Sequence, residues 1–204
     1  YEQHRALFWG EHTAPPLFIH TLTPTFDALA QHTITQIAIP KVSVICSVIK
    51  NCLQLSFIIQ KTPWLTLPPF APSHLKHTDF LWQDNCLECF VEFNHHQSYS
   101  EINFSPNGNY AIYHFDDYRT PNCMPPKQGE GTVFVPDGNF DDAKHWVRHL
   151  AIQFSHFQTL SKLHPTAILY YDGTPIYYAI AHATPPDFHH KAYWQPWSTH
   201  AFDN

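Results

Sequence analysis

Two carboxylates, an amide and an indole sit close together in the stretch LWQDNCLECFVEFNHHQSYSEINFSPNGNYAIYHFDDYR, residues 81–119. Glu88, Glu101 and Asn103 can hydrogen-bond hydroxyl groups, and Trp82 offers a flat apolar surface. Together these groups suit a pyranose, which has one C–H face and a ring of hydroxyls. Glu88 falls within an apolar run where carboxylates are depleted; an open, solvated sheet face is the alternative home for it. His114 and Arg119 close the same stretch and complete the candidate ligand-binding set. A second cluster, His182, Asp187, His189 and His190, reads H-x4-D-x-H-H and carries ligand types that suit zinc or another divalent ion. Adjacent histidines on extended backbone point apart, so at most one of His189 and His190 faces inward. Asp187 and His189 are expected to lock the loop around Pro185-Pro186 by hydrogen bonds to backbone. Metal binding through His182, Asp187 and His189 is therefore the secondary reading.

Three strand-like runs must position the first cluster. With period two, Cys86, Glu88, Phe90 and Glu92 lie opposite Leu87, Cys89, Val91 and Phe93. In the next run Tyr99, Glu101 and Asn103 oppose Ile102 and Phe104. In the third, Ala111, Tyr113 and Phe115 oppose Tyr110, Ile112 and His114. Asn107-Gly108 supplies the positive φ of a tight hairpin turn, so the second and third runs pair antiparallel. The resulting sheet has one greasy face and one face with carboxylates, an amide and aromatic rings.

The remaining chain is punctuated in the same manner. Residues 1–16 read as an N-terminal arm, and 17–204 as a single domain. Strands are expected at 17–20, 33–50 with a break at Pro40, 53–60, 132–135, 146–157, 166–171 and 176–181, with a last one near Tyr193. Asp172-Gly173 marks a second hairpin, and the proline-rich segment 63–77 is a loop. About ten or eleven strands with few short helices suit an all-β antiparallel sandwich.

Composition narrows the function classes. A formal charge of −6 with 11 Lys plus Arg leaves no basic stripe for nucleic acid. No run of 18 apolar residues marks a membrane span, and no basic and apolar leader opens the chain. A cytoplasmic location is expected, with the five cysteines as reduced, buried thiols. Cys86 and Cys89 share one strand and point to opposite faces, so they cannot form a zinc knuckle while extended.

The runs LWQDNCLECFVEF, YSEINFSPNGNYAIYHFDDYR, HPTAILYYDGTPIYYAIAH and PDFHH, in this order, resemble the bacterial DOMON-like family, which is similar to family-nine carbohydrate-binding modules. The resemblance covers about residues 17–198. It implies a jelly-roll-like β-sandwich that binds a small molecule without catalysis and without a cofactor, the ligand being a saccharide or a sugar-containing cell-wall metabolite. Trp82-Gln83-Asp84-Asn85-Cys86-Leu87-Glu88 looks like the modules' tryptophan-to-glutamate run, which implies a stacking plate at Trp82 and a hydroxyl acceptor at Glu88. Trp194 and Trp197 lie in the region of the modules' second plate. Three alternatives stand beside this reading. Some members of the wider superfamily hold haem, for which Met124 and the histidines are the candidate ligands. Glu88 and Glu101 could serve a glycoside hydrolase, and an apolar exposed face would suit a protein-interaction module. A nucleophile elbow, a glycine-rich phosphate loop and an H-E-x-x-H helix are absent.

Overall fold

A computed structural model describes residues 17–27, 37–49, 51–154 and 159–197. The expected arm over 1–16 and the start of the run expected over 33–50 lie outside the described residues. The fold is all-β, with twelve strands among the described residues: β1 Leu17–Thr25, β2 Val42–Ile49, β3 Cys52–Gln60, β4 Cys86–Phe93, β5 Tyr99–Phe104, β6 Tyr110–Phe115, β7 Thr132–Phe134, β8 Phe140–Asp141, β9 His145–Gln153, β10 Leu160–Tyr171, β11 Thr174–Ala179 and β12 Gln195–Pro196. Their hydrogen-bonded order is β6-β5-β4-β10-β11-β1-β2-β3-β9-β7, with β12 on β10 and β8 on β9. Every strand pair is antiparallel.

β1 turns this path into a sandwich. Leu17–Leu22 pairs with β2, whereas Thr23–Thr25 pairs with β11, so one strand passes from one layer to the other at a corner. Alternation then fills the space between the layers. Leu53, Leu55, Phe57 and Ile59 of β3 meet Leu87, Cys89 and Val91 of β4, Ile102 of β5 and Leu169 of β10 in one buried cluster. The sheet path ends at β7, only three residues long, and at β6, which is flanked by bridges His77–Tyr110 and Tyr113–Gln128.

The antiparallel sandwich matches the expected class, with more and longer strands than the pattern implied. β8 and β12 have two residues each, too few to show a period. β10 begins at Leu160 rather than at Thr166. Pro165 lies between the stretch that pairs β12 and the stretch that pairs β11, while pairing with β4 continues past it. Both hairpins form. Gly108 takes φ +118°, and a Cβ there would come within 2.9 Å of the Ala71 carbonyl, because the turn presses on the proline-rich loop. Asp172 and Gly173 both have positive φ, as a two-residue hairpin demands.

One charged side chain ties this end of the layers together. Arg148 of β9 is fully buried. Its Nε donates to the Pro106 carbonyl at 2.8 Å and its Nη2 to the Pro68 carbonyl at 3.1 Å, while Nη1 reaches Asp141 Oδ1 at 2.6 Å. The guanidinium fork thus joins β9 to the β5–β6 turn and to the proline-rich loop.

Candidate functional site

Register sets the outward face of the β6-β5-β4-β10-β11 layer as a grid. One row across it reads Ala111, Asn103, Glu88, Thr166 and Ala179; the next reads Tyr113, Glu101, Phe90 and His164; on the other side lie Cys86, Ile168 and Tyr177. Alanines at both ends of the polar row leave a hollow, and larger side chains in the flanking rows give it walls. Glu88 and Glu101 are diagonal neighbours, a relation that separates backbone positions by about 7–8 Å.

This face is covered, not open. Residues 116–126 and 182–194 close over it, and Phe188 and Trp194 pack with Phe90, Tyr99, Tyr113 and Phe115 in a second buried cluster. Asp187 joins the two covering loops: its carboxylate accepts from Tyr118 Oη at 2.6 Å, from Arg119 Nη2 at 2.9 Å and from the His189 N–H at 3.1 Å. Lys191 fastens the C-terminal cover to the sheet. Its Nζ donates to Glu92 Oε2 at 2.9 Å and to the Gln97 carbonyl at 2.6 Å, and lies 5.2 Å from the Tyr99 ring centre. Lys191→Met is expected to leave Glu92 buried without its cation and to lower stability by about 3 kcal/mol; equilibrium urea unfolding checks this, and a loss under about 1 kcal/mol would mean that the staple is idle.

Between sheet and cover remains a cavity of about 260 Å³. Glu88, Phe90 and Glu101 form its floor, with Trp82, Tyr177, Phe188, Arg119 and His189 among its walls. Trp82 meets Tyr113 and Phe80 edge-on, and its carbonyl accepts from Tyr170 Oη at 3.1 Å. Phe80, Tyr118 and Met124, near these walls, are large apolar side chains left exposed.

The floor is short of donors. Asn103 Nδ2 donates to Glu101 Oε1 at 2.8 Å, and Thr166 Oγ1 reaches Glu88 Oε2 only at 3.3 Å. Asn103 Oδ1 is buried with no partner among the described residues. Burial pushes both carboxyl groups well above the ordinary carboxylate range, and for Glu88 the neighbouring Glu101 charge adds to the rise. Arg119 acts in the opposite sense on Glu101, although its guanidinium is bonded to Asp187. His189 is held neutral: burial first, then Arg119, lowers its pKa to about 3. Its tautomer follows from the neighbours. The Arg119 N–H donates to Tyr99 Oη at 3.1 Å, so the Tyr99 proton goes to His189 Nδ1 at 2.7 Å. The remaining ring proton sits on Nε2, 3.6 Å from Glu101 Oε2.

The structure therefore brings Trp82, Glu88, Glu101 and Arg119 to one cavity, whereas Asn103 is buried across the strands from Glu88 and does not line it. His114 is not with them. β6 enters its hairpin in the phase that sends Ala111, Tyr113 and Phe115 outward to the covered face and Ile112 to the inter-layer core. His114 is thus on the opposite face, where its Nε2 contacts Asp116 Oδ1 at 3.1 Å. Neither later tryptophan opposes Trp82: Trp194 is buried with its Nε1 on the Phe188 carbonyl at 2.8 Å, and Trp197 packs against the inter-layer core. His182, Asp187 and His189 do not converge; His182 Nε2 bonds the Thr23 carbonyl at 2.7 Å, and Asp187 and His189 are engaged as above. Met124 and His189 do line the same cavity, but its volume lies under the roughly 300 Å³ at which drug-sized pockets begin, and a porphyrin needs more. Among the cysteines, Cys46, Cys86 and Cys89 are buried thiols as expected, whereas Cys123 is exposed and lines the cavity.

Tyr177, Phe188 and Thr166 were not among the sequence candidates. The strand pattern already held two of them: Tyr177 alternates with Ala179, and Thr166 follows His164 at strand spacing in HPTAILYY. Phe188 had no such signal, because it lies on a loop.

An all-β sandwich with a small, covered, carboxylate-floored cavity is thus the class that fold and site define. The fold is similar to that of a candidate carbohydrate-binding protein from Bacteroides uniformis, with a TM-score of 0.54 and 12% identity over 88% of this chain and 85% of that one. No family model and no curated protein matches the sequence.

Proposed function

We propose that the cavity binds a small polyhydroxylated ligand, most simply one sugar ring, and that the protein is a binding domain and not an enzyme. The observation that carries this reading is the convergence of Trp82 with two buried carboxyl groups, Glu88 and Glu101, on one partly covered cavity. An indole takes the C–H face of a pyranose, and carboxyl oxygens accept from its hydroxyls. A volume of about 260 Å³ suits a single ring better than a chain of them. The motif resemblance to DOMON-like domains and the fold likeness to a candidate carbohydrate-binding protein support the same ligand class.

The test is a thermal-shift screen against mono- and disaccharides and muropeptide sugars, since a ligand that binds only the native state raises the melting temperature by mass action. Trp82→Ala is expected to weaken the best sugar about ten-fold, equivalent to about 1.4 kcal/mol, with circular dichroism unchanged. Unchanged affinity in Trp82→Ala would overturn the stacking role. One observation favours a hydrolase instead: a buried carboxyl kept protonated near neutrality is a usable general acid. Turnover of chromogenic glycosides, lost in both Glu88→Gln and Glu101→Gln, would transfer the assignment to that class.

A further inference from the structure

We propose that the ligand carries a protonated amino group, as an amino sugar does, seated over Glu88 and Glu101. This rests on the cavity being a small-ligand site and names what its floor selects. The charges in the cover cancel among themselves, because Arg119 is bonded to Asp187, which also accepts from Tyr118 and the His189 backbone. Among the described residues, neither floor carboxyl group has a bonded Arg or Lys. Glu88 has a 3.3 Å bond from Thr166 and a contact with the Cys86 thiol, a weak donor. Glu101 has Asn103 on one oxygen, and on the other only His189 Nε2, at 3.6 Å, beyond hydrogen-bond range.

Asn103 Oδ1 makes the deficit sharper. It is a fully buried acceptor with nothing to accept from, and it sits directly across the strands from Glu88. With Glu101 ionised, the Asn103 Nδ2 faces that acceptor and leaves Oδ1 on the other side. Two carboxyl groups with few donors thus line a cavity whose other walls include Trp82, Phe115, Tyr177 and Phe188, and Asn103 lies behind them in the sheet, across from Glu88. Hydroxyls would answer with one proton each and bring lone pairs of their own. An ammonium group has three donors, no acceptor and a positive charge, and Trp82, Phe90 and Tyr177 are rings of the kind that cations approach.

A proton leaves as the cation enters. In the empty site the pair meets the cost of burial by retaining a proton; the ammonium group replaces that charge, and the proton goes to solvent. The titratable groups facing the pair are Cys86, Tyr113, Tyr170 and Tyr177 from the sheet, Tyr99 beside Glu101, and Arg119, Asp187 and His189 from the cover. The cysteine and tyrosines here are shifted upward and His189 downward, so all of them stay neutral at pH 5.5 to 7.0 while the carboxyl pair alone loses protons.

Isothermal titration calorimetry of the intact protein with D-glucosamine, N-acetyl-D-glucosamine, D-glucose and cyclohexylamine tests the assignment. Glucosamine is expected to bind at least ten-fold tighter than either neutral sugar, more tightly at pH 7.0 than at pH 5.5, and with net proton release between two buffers of different ionisation enthalpy. Glu101→Gln and Glu88→Gln are expected to erase that preference while the protein stays folded. Equal or tighter binding of glucose or N-acetylglucosamine would overturn the ammonium assignment and keep the saccharide reading. Cyclohexylamine matching glucosamine would keep the ammonium and remove the sugar. Failure of both amines to bind would overturn the inference whatever the neutral sugars do.

Discussion

Glu88→Gln is expected to make the protein more stable at pH 8, by on the order of 3 kcal/mol, while weakening ligand binding. An unfolded glutamate ionises near about 4.3. In the fold the coupled pair titrates far higher, Glu101 up to about 7 and Glu88 up to about 8, chiefly because both are buried. Between those limits the native state holds more protons than the unfolded chain, so stability falls as pH rises. The pair's contribution is fully present below the unfolded value and is lost as pH climbs through the folded values. A glutamine keeps an acceptor for Thr166 and has no proton to lose, so the slope shrinks with the substitution. Urea unfolding of parent and variant from pH 5 to 8.5 measures this; parallel curves would show that the pair does not titrate as a buried unit. A group that costs stability at neutral pH and lines a cavity is what a binding site retains and a scaffold would discard.

Arg148→Ala is expected to cost about 4 kcal/mol, the largest loss of any single side chain considered. The guanidinium is fully buried, and removing it strands the Pro106 and Pro68 carbonyls, frees Asp141 from its 2.6 Å partner and leaves a void. Arg148→Lys is expected to recover only about half of that, since an ammonium cannot span two carbonyls and a carboxylate in the plane of a fork. A fall under about 1 kcal/mol in urea midpoint analysis would mean that water replaces the lost donors.

The floor of the site was legible because β4 and β5 alternate cleanly: Glu88 and Phe90 on one side of Leu87, Cys89 and Val91, and Glu101 and Asn103 opposite Ile102. β6 was not legible in the same manner. Tyr-Ala-Ile-Tyr-His-Phe is apolar on both phases, so its alternation could not tell which side faced the core, and His114 was assigned to the wrong one. β10 starts six residues before the expected Thr166 and runs through Pro165, whose missing N–H falls in the gap between its β12 and β11 partners. The cover had no period to read at all. Tyr118 and Arg119 meet Asp187 from almost 70 positions away, at |i−j| of 69 and 68, and only the folded sheet brings those loops together. Hence the sequence pattern anticipated a polar sheet face but not that it is roofed.

The two ends of the strand path bear on how copies of this chain meet each other. Among the described residues the strand path has two ends where a foreign strand could dock. One rim, β7, is three residues long, and the other, β6, already has His77 and Gln128 bridged to Tyr110 and Tyr113. Short or occupied rims give poor templates for cross-β growth. At these two ends, therefore, the shape of the border itself limits strand addition to a chain rich in aromatic and β-branched segments.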